Sequence, residues 1–166
     1  MAGKGMGAKA EFPPLLLDGL HKMDLASLKT LVVDGFPKSA RRLPLWNNFV
    51  TIAVDTLSSL KLPCEIWVDG SYLTQKIDPD DIDFVVDFPI SVTSNISVPQ
   101  KQFIEQLAAN DFHNPHKLHS FVMFSAPIGH NYYPKSELSH SRWKKDFGQS
   151  LTKKKPKGIA VLEVSR

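Results

Sequence analysis

The sequence predicts an α/β or α+β domain, a small mixed sheet with flanking helices. Two observations carry that expectation. Short apolar runs of strand length are separated by segments with helical periodicity, so helices and strands alternate along the chain. The chain has 166 residues, of which 42% are hydrophobic and 22% charged, which suits one globular domain with a real core.

Residues 1–11 are small and glycine-rich and read as a flexible leader, leaving residues 12–166 as a single domain. Phe12-Pro13-Pro14 and the three leucines after it read as an extended segment across the surface, because proline disfavours the helical region for the residue before it. Asp24 to Val33 is predicted as a short helix capped by Asp24, ending near Asp34-Gly35, where glycine permits a positive φ. The strongest helix spans Ala40 to Leu60, with Trp46, Phe49, Val50, Ala53, Leu57 and Leu60 forming one apolar stripe. Ser39 is its candidate cap, and Pro44 is tolerated near the first turn.

Cys64 to Val68 and Ile82 to Phe88 read as buried strands. A loop from Pro89 to Val98 leads into a helix over Pro99 to Ala109, which Asn110-Asp111 stops. Leu118 to Phe124 is a third strand, Pro127 to Pro134 a loop, Lys135 to Phe147 a helix with Trp143 inward, and Ile159 to Val164 a last strand.

Composition excludes several classes. Cys64 is the only cysteine, so no intrachain disulfide or cysteine zinc cage can form, in keeping with a reducing compartment. No run approaches the ~18 apolar residues of a membrane span, and the start has no apolar stretch of signal-peptide length, so a cytoplasmic protein with no membrane partner is expected. The net charge of +3 is modest but unevenly spread. Asp69 to Asp87 gathers six aspartates, whereas Arg142 to Lys157 gathers seven basic residues. The lysine run reads first as a solvated face.

The informative passage runs from Trp67 to Val86. One run ends in Gly70-Ser71, and the next is opened by Asp81 and Asp83, which share a strand face while Ile82 and Phe84 turn to the core. Two such carboxylates repel unless a cation neutralises them, and hard oxygen ligands suit Mg²⁺ or Mn²⁺. Gly70 lets the backbone approach a ligand, and Ser71 adds an N–H and a hydroxyl. If a helical turn follows, those donors favour phosphate.

Residues 70 to 83 resemble the signature of the nucleotidyltransferase superfamily, the polymerase-beta-like fold: a hydrophobic residue, Gly, Gly or Ser, about ten residues, then two carboxylates flanking a hydrophobic residue. Phe12-Pro13-Pro14, Leu20-His21, Arg41-Arg42, Asp69-Gly70-Ser71 and Lys157-Gly158-Ile159 look more narrowly like a bacterial family of uncharacterised nucleotidyltransferase-like proteins. The resemblance implies a nucleoside triphosphate bound with Mg²⁺, and a hydroxyl acceptor on RNA, protein or a small molecule. It assigns metal to Asp81 and Asp83, and phosphate to Gly70, Ser71 and Lys157; toxin-like relatives would suit a toxin–antitoxin or phage-defence setting. The superfamily usually supplies a third carboxylate from a later strand, yet Leu118 to Phe124 has none; His119 is the substitute base or ligand, and Glu163 another candidate.

That gap sustains a rival, a catalytically inactive binding or regulatory protein on the same fold. Arg142 to Lys157 sustains another, a basic RNA-binding module. Plainer expectations accompany these. Asp78, Pro79 and Asp80 are turn chemistry, and Ser71 a helix cap. His113, His116 and His119 are surface-loop histidines separated by Asn114-Pro115, and Arg41 and Arg42 flank the long helix on its solvent side. One of Tyr132 and Tyr133 is buried by its ring, and Lys153 to Lys157 form a solvated loop.

Overall fold

The structure is a computed structural model that describes residues 10–150 and 155–164. Five strands, β1 (Gly19–Lys22), β2 (Cys64–Asp69), β3 (Ile82–Pro89), β4 (Leu118–Ser125) and β5 (Gly158–Val164), form one mixed sheet in the order β1-β5-β2-β3-β4. β2 is central and antiparallel to both neighbours, while the outer pairs β1·β5 and β3·β4 are parallel. The expected mixed sheet with flanking helices is therefore present.

Period-two alternation gives this sheet two different faces. One presents Ile66, Val68, Phe84, Val86, Phe88, Ala160 and Leu162 to the main core, against Leu28, Trp46, Phe49, Ala53, Leu57 and Leu107 from the helices. The other presents Trp67, Val85, Met123, Ile159 and Val161, which pack with Phe147 and the half-buried Phe121 and Trp143. Phe147 and Trp143 belong to α5 (Tyr133–Phe147), so Trp143 does turn inward. Among the described residues no helix is long and apolar enough to cross a membrane.

α1 (Leu25–Lys29) carries the expected Asp24 cap, whose side chain accepts from the Ser27 N–H, and continues as a π-helical segment over Thr30–Asp34. Gly35 closes it at φ −69°, so the expected positive φ is absent there. Lys61 and Asn110 adopt left-handed angles instead, just past α3 (Asp55–Ser59) and α4 (Val98–Ala108). The long helix is α2 (Arg42–Asn48), a π-helical stretch Phe49–Val54, and α3. Trp46, Phe49, Ala53 and Leu57 form its buried stripe, with Val50 and Leu60 half-buried at the edge.

Two expectations near its amino end are corrected. Asp78 does not cap its own turn: its Oδ1 accepts from Ser39 Oγ and from the Ala40 and Arg41 N–H groups, tying the α2 start to the β2–β3 connection, and Ser39 Oγ in turn accepts from Arg42 N–H. Asp80 pairs with Arg41 and Lys76. Arg42 is not on the solvent side but 1% exposed. Its guanidinium donates to the carbonyls of Val32, Tyr72, Thr74, Lys76 and Ile77 and lies over the Phe36 ring, 3.6 Å from its centroid. Burial pulls its pKa down to about 10. This one side chain satisfies carbonyls across the Tyr72–Ile77 connection, which carries the chain from β2 to β3.

The extended amino-terminal segment lies as expected, joining that same connection through Leu15 N–H to Leu73 O, Gln75 N–H to Pro13 O and a Pro14·Thr74 bridge. Of the flexible leader, residues 1–9 lie outside the described residues.

Candidate functional site

β2, β3 and β4 bring the site together by register. Asp69 stands opposite Asp83 across β2·β3, and Asp83 opposite His119 across β3·β4. All three belong to the face of Trp67, Val85 and Phe121, with Asp81 two residues before Asp83 and on the same side. One ligand atom each from half-buried Asp81, Asp83 and His119 lies within 4.8 Å of the others. His119 Nδ1 is 2.9 Å from Asp83 Oδ1, and His113 Nε2 is 3.5 Å from Asp81 Oδ2. Burial foremost, then the neighbouring Asp81, raises the Asp83 pKa above the usual carboxylate range, against the pull of His119 and Lys157. A cation placed among these groups would offset that crowding of carboxylates.

The expected turn is a single 3₁₀ turn, Gly70–Leu73, directly after β2. Gly70 has φ +75°, and a Cβ there would collide with the Asp83 carboxylate and stand 3.0 Å from its Cβ. The turn is thus seated on Asp83. Ser71 lies inside the turn, not before it, so it is not a cap; its carbonyl accepts from Thr74 N–H and Oγ1. Lys157 arrives from the start of β5, its Nζ 3.3 Å from Asp69 Oδ1 and its side chain 14% exposed. Asp69 Oδ1 thus has Lys157 as its ion-pair partner, with no other side-chain or backbone donor bonded to it among the described residues. Burial pushes the Asp69 carboxyl up to about 8 even with Lys157 beside it.

These groups line one cavity of about 580 Å³, within the ordinary size of ligand sites. Gly70, Ser71, Asp81, Asp83, His119 and Lys157 all reach it. Phe121, whose ring centroid is 4.5 Å from that of His119, and Phe147 form an apolar wall, with Lys145 at the α5 end and Phe12 at the amino-terminal side. Polar donors, carboxylates, two lysines and an aromatic wall converge there.

Comparison with protein families matches residues 10–163 to the family described as "Family of unknown function (DUF6932)". The chain belongs to DUF6932. No curated protein and no solved structure matches it.

The DUF6932 chain therefore gathers every expected site residue, Gly70, Ser71, Asp81, Asp83, His119 and Lys157, around a single cavity. Glu163 is excluded: it pairs with Lys22 and stands opposite Glu65, toward the other end of the sheet. His119 is a strand residue rather than a loop histidine, and His113 leans on Asp81 from the α4–β4 connection. Tyr132 and Tyr133 are both half-buried, so neither ring is enclosed. Of the basic run, residues 151–154 lie outside the described residues, while Lys157 is built into the site instead of a solvated loop. Sequence reading missed Asp69 and His113. Asp69 was within reach of the alternation rule, being two residues after Trp67 and next to Gly70. His113 was not, because its position depends on how the connection folds back.

Proposed function

We propose that this protein binds a nucleoside triphosphate with a divalent cation and is a nucleotidyltransferase-like enzyme whose acceptor is a hydroxyl on RNA, protein or a small molecule. One observation carries the reading: the Gly70–Ser71 turn rests on Asp83, so that turn and the Asp81, Asp83 carboxylate pair line one cavity. Asp81 and Asp83 would hold the cation, Mg²⁺ or Mn²⁺ by their oxygen donors, and when bound it would neutralise phosphate charge and polarise the phosphorus. The fit rests on the crowded carboxylates of Asp81 and Asp83 and on the imidazole of His119 among them. Gly70 lets the backbone line the cavity, Ser71 would offer its N–H and hydroxyl to the phosphates, Lys157 would add a positive charge, and the Phe121 and Phe147 wall suits the base or sugar. A cytoplasmic setting fits such a substrate.

A second reading is a nucleotide binder without turnover. It is favoured by the β4 position opposite Asp83, where an imidazole stands and no carboxylate does. Calorimetric titration of each nucleoside triphosphate with Mg²⁺ or Mn²⁺, beside transfer of a labelled nucleotide, separates the two. Metal-dependent binding is expected in the wild type and its loss, by at least about tenfold, in the Asp81→Asn, Asp83→Asn double variant. Binding that survives in the variant would sink the assignment of the site, while binding without any transfer selects the second reading.

A further inference from the structure

We infer that the protein-only cation site formed by Asp81, Asp83 and His119 selects a first-row transition cation of borderline softness, of the Co²⁺ or Zn²⁺ class, over Mg²⁺. This deepens the metal half of the function proposed above and rests on it.

The donor atoms set the selectivity. Mg²⁺ demands oxygen, keeps several of its own waters and is seldom held by a site that offers nitrogen, whereas imidazole suits Zn²⁺, Co²⁺ and their neighbours. Here His119 is built into the cluster and not appended to it. Its β4 position is fixed by register opposite Asp83, its Nδ1 stands 2.9 Å from Asp83 Oδ1, and its ring rests on Phe121. That contact is a hydrogen bond, and since metal–ligand bonds of ~2.1 Å put adjacent ligand atoms of a tetrahedral or octahedral site ~3–3.5 Å apart, an ion replacing the shared proton would need only a small opening of the pair. Asp81 completes a set of three within 4.8 Å.

A second imidazole supports the set. His113 Nε2 is 3.5 Å from Asp81 Oδ2, and its ring centroid is 5.4 Å from that of His119. Carboxylates that ligate a metal are commonly held by such outer partners, so His113 acts as a positioning residue for Asp81. Two carboxylates and one imidazole, with room left in the cavity, match the chemistry of open Zn²⁺-type sites, in which three protein ligands leave a position free. With no nucleotide present to bring its own cation, this donor set alone decides what is bound.

The test uses the whole chain, stripped with a chelator and kept free of nucleotide. Co²⁺, Zn²⁺ and Mg²⁺ are titrated by calorimetry, and Co²⁺ also by its visible absorption, in the wild type and in His119→Asp, His113→Ala and His130→Ala. Co²⁺ and Zn²⁺ are expected to bind one per chain at least about 100-fold more tightly than Mg²⁺. His119→Asp, which makes the donors all oxygen, should shrink that ratio by at least about tenfold while its circular dichroism matches the wild type. His113→Ala should lose about tenfold in Co²⁺ affinity, and the exposed control His130→Ala nothing. Mg²⁺ binding as tight as Co²⁺, or a ratio unmoved by His119→Asp, overturns the inference and leaves the nucleotide reading intact. Binding of no cation by the stripped wild type overturns it too, and removes the protein-held metal from that reading.

Discussion

At Gly70 two independent constraints meet, a backbone angle that a side chain resists and a space that a side chain cannot enter. The φ of +75° costs an L-residue roughly 1–2 kcal/mol, and the missing Cβ is where the Asp83 carboxylate lies. Gly70→Ala should therefore lower stability by about 1–3 kcal/mol and displace Asp83, weakening cation binding by tenfold or more. Thermal unfolding and metal titration of the variant check both halves. A variant with ordinary cation affinity would mean that the contact does not position the carboxylate. The residues of this kind that sequence makes legible are those whose role follows from local geometry: a glycine before a serine, and two aspartates on one strand face. Arg42 and His113 are illegible for the opposite reason, since each acts on groups far away in the chain. Arg42 in particular sits in a segment whose neighbours give no hint that its charge is enclosed by carbonyls.

Among the elements, the β2–β3 connection matters most, because it carries the Gly70 turn and ends at Asp81. Beyond the Gly70–Leu73 turn it has almost no regular structure of its own; Arg42 holds it from outside, and its own Asp78 ties it to the start of α2. Removing the buried guanidinium takes its donors from five carbonyls at once, so Arg42→Ala is expected to cost about 3–5 kcal/mol. Arg42→Lys should rescue little, because an ammonium cannot span the planar fan of acceptors. Urea unfolding gives the cost, and hydrogen exchange should show the 72–77 connection opening first. Retention of wild-type stability by Arg42→Ala would refute the clamp. The same contrast explains which elements were legible. β2, β3, β4, β5 and the helices carry periodicity that burial imposes, and their positions follow from it. β1 has only four residues, largely exposed at the sheet edge, and its pairing with β5 is set by tertiary contact alone. The π-helical stretches in the first two helical rods also escape a pattern built on 3.6 residues per turn.

For the molecule as a whole, the second face of the sheet is where its acids are gathered and where burial acts on them. Asp69, Asp83 and Asp87 all lie there, and desolvation is the largest influence on each, raising its pKa in the folded state. Asp87 accepts from Ser125 Oγ and contacts His140, whose ring stacks on Trp67, so α5 is tied to this face by the same acidic surface. A carboxyl with a raised folded pKa holds its proton in the native chain over a range where the unfolded chain has released it. Its stabilising contribution is complete below the unfolded value, near 3.8, and is lost as pH rises through the folded value, about 8 for Asp69. Asp24 and Asp78, lowered by their hydrogen bonds, act in the opposite sense, and only on the acid side of the ordinary carboxylate range. The two windows scarcely overlap. In chelator, without cation or nucleotide, the urea midpoint should therefore fall from pH 5 to pH 8, and Asp69→Asn should flatten much of that slope. A bound cation should reverse it, because metal selects the deprotonated carboxylates and its affinity rises with pH. A midpoint that climbs from pH 5 to pH 8 in the metal-free protein, or a slope unchanged in Asp69→Asn, would contradict the account of Asp69 as a buried acid held ready beside the site.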